Sequence, residues 1–255
     1  QYLKWLSRAV QGDLGDSVSA RDTVAHVLSP RLETTLLLTV YASIIMIILG
    51  VGLGMLSAVF RNGFVDLAST AGALTFAAVP AYVAGLVLIL VFGVQLHWFP
   101  TLGGGEGGSF ATRLDHLTLP AIALALSAMA LISRVTRSAM ITALDSEHVE
   151  GARIRGFTER RVVFKHALRS ALVPVVTISG VQCGYLLAGA ILVEYTFGLN
   201  GIGSLLVQSV QNKDFAVVQA VALLITVAFL MISLVVDLLY GVIDPRVRLA
   251  RGGDR

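Results

Sequence analysis

The chain alternates between long runs that contain no Asp, Glu, Lys or Arg and shorter segments in which charged residues return. A helix needs about 20 apolar residues to cross a hydrocarbon core of about 30 Å. Each uncharged run is about that long or longer, which predicts a series of membrane-spanning helices. The five runs are Thr34–Phe60, Leu67–Gly105, His116–Ser133, Ser170–Val193 and Phe215–Val236.

The second run is 39 residues long, which is too long for a single span. Pro100 and Gly103–Gly105 near its end are typical of a loop. What remains is a helix of about 30 residues near Leu67–Leu96, in which Pro80 is free to introduce a kink. The pattern therefore predicts an all-α membrane protein with five spans.

Composition supports this prediction. Of the 255 residues, 56% are hydrophobic and only 14% are charged, and the mean hydropathy is +0.81. Soluble domains carry about 25% charged residues, so this chain has too few to cover a water-exposed surface. The net charge of +3 is too small to indicate nucleic-acid binding, and a lone cysteine, Cys183, excludes an internal disulfide and a cysteine-based zinc site.

Basic residues are distributed unevenly between the segments that join the spans. Segments 61–66 and 134–169 and the tail from Asp237 hold 13 of the 19 Lys and Arg residues, and the remaining segments hold six. The positive-inside rule therefore places the 134–169 loop in the cytoplasm and Gln1 outside the cell. Residues 1–33 contain no apolar run able to carry an external amino terminus across a membrane, so we expect a further transmembrane helix upstream, with about 20 or more apolar residues.

The predicted cytoplasmic loop, Arg134–Arg169, differs from the other loops in carrying eight basic and four acidic residues. Asp145 or Ser146 is suited to cap a helix, Gly156 interrupts it, and Thr158 is suited to cap a second one. We expect two short helices joined at a glycine on the membrane face, with small residues exposed and Pro174 at the entry to the next span. Such a loop is either a plain positive-inside connection or a docking surface for another protein.

The segment Glu150-Gly151-Ala152-Arg153-Ile154-Arg155-Gly156 resembles the E-A-A-x-x-x-G signature of ABC importer permeases. The chain as a whole is similar to the B-type membrane subunit of dipeptide and oligopeptide permeases, although Gly151 replaces the alanine at the second position of the signature and the family's first helix is absent. Further segments that resemble the family are Gly12–Ser17, Glu159–Val162, His166–Arg169, Pro174, Glu194-x-x-Phe197-Gly198-x-x-Gly201-x-Gly203, Asp237–Tyr240 and Asp244-Pro245-Arg246. Leu119-Pro120-Ala121 also resembles the family, and the resemblance implies that it opens the next-to-last long helix.

This resemblance implies a type I ABC importer transmembrane domain, with five spans present of an expected six, in the inner membrane of a prokaryote. Residues 1–33 would form an external segment, and residues 34–255 would form the permease domain with its cytoplasmic coupling loop at 134–169. The implied partners are a second homologous permease subunit, two cytoplasmic ATPases that bind ATP and Mg²⁺, and an external peptide-binding protein. The transported substrate would be a peptide, with nickel or glutathione as alternatives.

Two groups of site residues follow from the resemblance. The residues expected to couple to the ATPase are Ser146, Glu147, Glu150, Gly151, Ala152, Arg153, Arg155, Gly156, Glu159 and Arg160. The residues expected to form an external gate, or else a plain tight loop, are Glu194, Phe197, Gly198, Gly201 and Gly203.

Catalytic motifs are missing from the sequence. No G-x-x-x-x-G-K-[ST] segment is present, so ATP hydrolysis is expected on separate subunits, and we expect no cofactor bound by this chain. No H-E-x-x-H spacing indicates a metalloprotease. An intramembrane hydrolase, the best enzymatic alternative, and a proton-coupled carrier are both disfavoured because no charged residue lies inside any predicted span.

Overall fold

The computed structural model describes residues 12–243, most of which are helical. Outside the described part lie the first eleven residues, the residues from Asp244 onward, which include the Asp244-Pro245-Arg246 motif, and the side chains of Asp237 and of residues 239–243. The elements are strands β1 (Asp16–Ser17) and β2 (Asp22–Thr23) and helices α1 (Val24–Val59), α2 (Phe64–Ala78), α3 (Ala81–Leu88), α4 (Phe110–Leu144), α5 (Glu147–Ile154), α6 (Glu159–Arg161), α7 (Leu168–Thr196), α8 (Ile202–Gln211) and α9 (Phe215–Ile243). The strands pair antiparallel, with Asp16 opposite Thr23.

Two π-helical segments interrupt the α-helices: Ile89–Gln95 follows α3, and Val162–Ala167 joins α6 to α7. The second one makes Glu159–Phe197 a continuous helix of 39 residues. Four helices are long and apolar enough to cross a membrane, namely Val24–Val59, Phe110–Leu144, Glu159–Phe197 and Phe215–Val236. Each contains one of the predicted uncharged runs, so four of the five predicted spans are found as continuous helices.

The remaining predicted span, the second along the chain, differs from the expectation. Instead of one kinked helix near Leu67–Leu96, the chain forms two helical arms, Phe64–Ala78 and Ala81–Gln95, bent by 107°. Val79 has extended backbone angles, φ −90° and ψ 123°, because a residue that precedes proline is disfavoured in the helical region. Pro80 therefore ends one helix, and the pair is a fifth span only if both arms together cross the membrane.

Two other prolines also lie elsewhere than predicted. Pro120 and Pro174 were expected to mark the beginnings of helices, but they lie inside α4 and α7. Helices of a membrane protein tolerate internal proline because neighbouring helices and hydroxyl side chains satisfy the freed carbonyl groups. The helices consequently begin earlier in the sequence than the uncharged runs do.

The chain divides into two compact units. Of the described residues, the first comprises 12–42, 81–124 and 185–230, and one of its core clusters contains Val24, Leu28, Ile202, Leu205, Val217, Ala220 and Val221. The second comprises 43–80, 125–184 and 231–243, and one of its core clusters contains Ala58, Met140, Ala143, Val149, Ala152, Val162, Val163, Ala167 and Ala171. The predicted coupling residues lie in the second unit and the predicted gate residues in the first.

Candidate functional sites

Helix α5 is the short helix that the sequence predicts within the cytoplasmic loop. Ser146 precedes it with extended angles, φ −83° and ψ 148°, and Glu147 and Glu150 lie in its first turn. Acidic residues in this position interact favourably with the positive end of the helix dipole. The expected side-chain cap is absent, because the Ser146 hydroxyl donates a hydrogen bond to the Ala143 carbonyl instead.

One face of α5 is packed into the core of its own unit. Val149 and Ala152 are both fully buried, and they contact the cluster that includes Ala58, Met140 and Val162. These two residues are three apart and therefore lie on the same side of the helix. The expectation that Ala152 is exposed for docking was wrong, because the small side chain allows α5 to approach the adjoining helices of its own chain.

The opposite face of α5 is exposed. Glu147, Glu150 and Ile154 follow the spacing of one helical stripe, and Ile154 is 81% exposed. Gly151 lies within this stripe, with open space where a Cβ atom would be. Sequence reasoning missed Ile154, although an isoleucine four residues after Glu150 on a polar face was a visible signal.

The residues after α5 form a tight turn rather than the start of a second short helix. Gly156 has φ +79°, a left-handed conformation that glycine adopts without strain, and its N–H donates to the Arg153 carbonyl. The Arg153 guanidinium pairs with Glu159 at 2.9 Å, and Arg155 donates to the Gly151 carbonyl at 3.0 Å.

The prediction of two short helices was therefore wrong in its second half. Thr158 precedes Glu159, as predicted, but without a side-chain cap, and the helix that starts at Glu159 continues to Phe197. Helix α4 likewise extends to Leu144, so the connection is much shorter than the predicted 36-residue loop. The reason is that helical hydrogen bonding continues past the point where side chains become charged.

The five predicted gate residues are brought together around one buried carboxylate. Glu194 is fully buried, and its Oε2 accepts hydrogen bonds from the N–H groups of Gly203, at 2.7 Å, and Ser204, at 3.2 Å. Its Oε1 accepts a hydrogen bond from the Thr35 hydroxyl at 2.6 Å. The Thr35 oxygen in turn accepts the N–H of Ile202 at 2.9 Å, so two side chains satisfy the first N–H groups of α8.

The other gate residues make this close approach sterically feasible. A Cβ atom on Gly201 would collide with the Glu194 carboxylate, and one on Gly203 would collide with the backbone of Ile191. Gly198 has φ +60° and turns the chain at the end of α7. The segment is thus a folded capping turn.

Phe197 anchors this turn. Its side chain is 1% exposed and packs against Gly85, where a Cβ atom would lie 2.8 Å from the ring. Its carbonyl accepts the N–H of Gly103 at 3.0 Å. The sequence motif identified these residues, but it did not reveal Thr35 as the second capping side chain.

Glu194 directly follows the predicted uncharged run Ser170–Val193, and it lies in the last turn of the Glu159–Phe197 helix. A buried carboxylate is retained there because three hydrogen-bond donors offset its lost hydration.

Comparison with known proteins agrees with the motifs. Residues 50–249 match the family described as binding-protein-dependent transport system inner membrane component. The chain belongs to this family. It is 40% identical over 248 residues to the glutathione transport system permease protein GsiC of Escherichia coli strain K12 and to that of Shigella dysenteriae serotype 1, covering 97% of this chain and 79% of each relative.

Solved structures show the same fold. The inward-facing MetNI methionine ABC transporter superposes with a TM-score of 0.70 and 18% identity over 86% of this chain and 96% of that one. An amino acid ABC transporter with histidines gives a TM-score of 0.62 and 19% identity over 84% of this chain and 92% of that one. The protein is a multi-pass permease subunit of an ABC importer, as the sequence motifs predicted.

In this permease the buried carboxylate of Asp66 pairs with the half-buried Arg137, an ion pair that sequence reasoning missed. Arg137 donates two hydrogen bonds to the Asp66 carboxylate, at 2.6 and 2.7 Å, and Asp66 also accepts from the Ser57 hydroxyl and the Asn62 N–H. Arg137 and Asp66 are 71 residues apart, so no local pattern could have paired them. The cluster fixes the α1–α2 turn onto α4.

A second buried acid stabilises the first unit of the permease. Asp214 accepts hydrogen bonds from the Ser17 hydroxyl at 2.6 Å and from the N–H groups of Ser19 and Val217. Burial acts to raise the pKa of Asp214, but these hydrogen bonds outweigh burial and hold the pKa below its ordinary value. The carboxylate thereby joins the β1–β2 hairpin to the beginning of α9.

No group of three or more His, Cys, Asp or Glu residues within 12–243 is arranged to hold a metal ion. The expectation that this chain binds no cofactor stays a prediction.

Proposed function

We propose that this permease forms half of the translocation pathway of an ATP-driven peptide importer, and that α5 couples it to a separate ATPase. The other half of the pathway is a second homologous permease subunit. Two cytoplasmic ATPases bind ATP and Mg²⁺, and an extracytoplasmic binding protein delivers the peptide. The assembly lies in the inner membrane of a prokaryote.

The observation that carries this proposal is the two-sided character of α5. Its inner face is fixed by Val149 and Ala152 to the core that contains residues of α1, α4 and α7. Its outer face presents Glu147, Glu150 and Ile154 to solvent. A helix attached in this way moves with the helices beneath it, so a partner that grips the outer face also moves those helices.

The chemistry of the outer face indicates the partner's complementary surface. Two carboxylates flank Gly151, where no side chain blocks approach, and Ile154 projects one large apolar side chain. A cleft with basic residues near an apolar pocket satisfies both features. Differential contact with such a cleft in two ATPase states is what an energetic coupling requires.

The remaining predicted coupling residues support the turn that follows α5. Arg153 is paired with Glu159, Arg155 with the Gly151 carbonyl, and Gly156 provides the left-handed turn. We assign these residues to holding α5 at its angle, while Ser146 and Arg160 mark the two ends of the contact. The gate residues around Glu194 are proposed to keep the external turn rigid during transport.

Crosslinking tests the coupling proposal. Cysteines introduced at Glu150 and Ile154, in a Cys183→Ser background that removes the native thiol, should form adducts with the ATPase in the assembled transporter. A cysteine at Lys213, an exposed residue predicted to lie on the other side of the membrane, serves as the matched control. If neither α5 position gives an ATPase adduct, or if all three label only from the outside, the proposal fails.

A second experiment tests whether coupling requires the packing of α5 against its own unit. Ala152→Trp adds a bulky side chain at a fully buried position, which should displace α5 and abolish substrate-stimulated ATP hydrolysis while membrane insertion continues. Thr142→Trp, at an exposed position on α4, should retain activity. Normal stimulated hydrolysis in the Ala152→Trp transporter would contradict the role of α5.

The peptide assignment rests on relatives. Those that are 40% identical are glutathione transport system permeases, and glutathione is itself a tripeptide. We therefore propose small peptides, glutathione among them, as the substrate class, with nickel as the alternative. Uptake of labelled glutathione, dipeptides and Ni²⁺ by the complete transporter in vesicles distinguishes these substrates, and uptake of Ni²⁺ alone would overturn the peptide assignment.

A further inference from the structure

A basic groove lies on the second unit, beside the turn that follows α5. It is lined by Thr158, Arg160, Arg161, Phe164 and Lys165 and has a volume of about 390 Å³. The three cationic residues are exposed, and Phe164 is 53% exposed. We name these five residues the basic groove.

The cations of the groove are not neutralised within the described chain. Among the side chains that the structure describes, Asp and Glu form ion pairs with His26, Arg61, Arg113, Arg137 and Arg153, and with none of the groove residues. Arg161 lies over the Phe157 ring at 4.6 Å, a contact that leaves its charge uncompensated. The groove therefore leaves its three cations available to an anionic partner from outside this part of the chain.

The groove belongs to the helix that becomes a membrane span. Arg161, Lys165 and Arg169 follow one another at four-residue intervals along the continuous Glu159–Phe197 helix, and all three are exposed. The uncharged run begins immediately afterwards, at Ser170. Lys165 precedes this run by five residues, a helical rise of about 7.5 Å, and the headgroup region of one leaflet is about 5–8 Å deep.

Phe164 fits the same location. A phenylalanine flanked by Arg and Lys on a helix is typical of a segment that lies at a membrane interface, where the apolar side chain enters the boundary between headgroups and acyl chains. Arginine binds phosphate oxygens through paired N–H groups, and lysine adds a point charge. We propose that the basic groove binds the phosphate headgroup of an anionic phospholipid.

The charge of α5 explains why a lipid is favoured over the ATPase as the occupant. The exposed face of α5 carries Glu147 and Glu150, which an anionic bilayer surface repels, whereas the groove carries three cations. Two surfaces of opposite charge in one unit suit different partners. The acidic stripe is left for the ATPase, and Arg161, Phe164 and Lys165 of the groove are left for the bilayer, with Arg160 at the boundary between the two contacts. This inference therefore does not depend on the coupling role of α5.

Lipid preference in the assembled transporter provides the test. A fluorophore attached at Thr158→Cys in the Cys183→Ser background reports quenching by brominated lipids in vesicles of phosphatidylglycerol and phosphatidylcholine. The wild-type groove should prefer brominated phosphatidylglycerol. Lys165→Gln should lower this preference by about fivefold, the effect expected for one cation at the membrane surface, and Arg161→Gln combined with Lys165→Gln should nearly abolish it.

Arg134→Gln is the matched control, because Arg134 is an exposed cation of the same unit outside the groove. It should leave the preference unchanged. Equal quenching by both lipids in the wild type, or an equal loss in Arg134→Gln and Lys165→Gln, overturns the site. An unaltered lipid preference in Lys165→Gln accompanied by weaker ATPase association also overturns it, and assigns the groove to the protein partner.

Discussion

Two of the breaks between helices in this permease, the turn after α5 and the turn after α7, are constructed in opposite ways. Both contain a left-handed glycine, Gly156 after α5 and Gly198 after α7, and both are followed by a new helix. At the first break the acidic residues Glu147 and Glu150 remain exposed, and small apolar side chains provide the attachment. At the second break the acidic residue is buried, and hydrogen bonds hold it.

The difference separates polar groups kept for a partner from polar groups used within the fold. A carboxylate whose acceptor sites are filled by its own chain, as in Glu194, fixes geometry and has little left for recognition. Carboxylates on α5 have no such internal use, so they are available to another subunit. Mutations should therefore affect folding at one break and coupling at the other.

The largest effect is expected at Glu194. Glu194→Ala leaves the N–H groups of Gly203 and Ser204 and the Thr35 hydroxyl without their acceptor, and an unsatisfied buried group costs about 1–3 kcal/mol. We expect the free energy of unfolding to fall by about 4 kcal/mol in total. Thermal unfolding of the purified permease measures it. Glu106→Ala, at an exposed loop position, should change stability by less than about 0.5 kcal/mol, and similar losses in the two variants would contradict the capping role.

A smaller loss is expected for Gly201→Ala. The added methyl group collides with the Glu194 carboxylate, so the turn must shift at a cost of about 1–3 kcal/mol. The same measurement applies, and the double variant with Glu194→Ala should lose less than the sum of the two single losses because the collision is gone. Full additivity would show that the glycine is needed for another reason.

A glycine-to-alanine substitution in α5 should raise the stability of the protein instead of lowering it. The added methyl group of Gly151→Ala meets nothing within 4 Å. Inside a helix, glycine is less favourable than every residue except proline, so we expect alanine to stabilise the protein by up to about 1 kcal/mol. Substrate-stimulated ATP hydrolysis should be retained, since alanine is the usual residue of the E-A-A signature. A loss of stimulation would instead indicate that the ATPase approaches the helix backbone at this position.

The smallest effect concerns acid sensitivity in the first unit. The folded pKa of Asp214 lies below its unfolded value near 4, so its ionised form contributes stability above about pH 4. That contribution is lost as the pH falls through the folded pKa. Melting temperatures measured from pH 7 downward should therefore decline less steeply below pH 4 in Asp214→Asn than in the wild type. Identical slopes would contradict the role of the Asp214 carboxylate in joining the β1–β2 hairpin to α9.

Long-range pairing explains which parts of the sites could not be predicted. The motif around Glu194 identified five residues of the turn, but its second capping residue, Thr35, lies 159 positions earlier in the chain. The E-A-A signature located α5 and its charges, yet it did not indicate that Ala152 faces inward. Which side of a short helix becomes buried depends on the helices packed against it, and that information is spread over distant segments.

The sequence by itself determined the properties that depend on local composition. Uncharged runs located four helices that can span a membrane, and glycines at Gly156 and Gly198 marked both turns, because hydropathy and backbone freedom act residue by residue. Only the tertiary structure decided that the chain bends by 107° at Pro80 and that Asp66 pairs with Arg137. A proline permits either a kink or a break, and a buried charge requires a partner without specifying which one, so the packing of whole helices makes both choices.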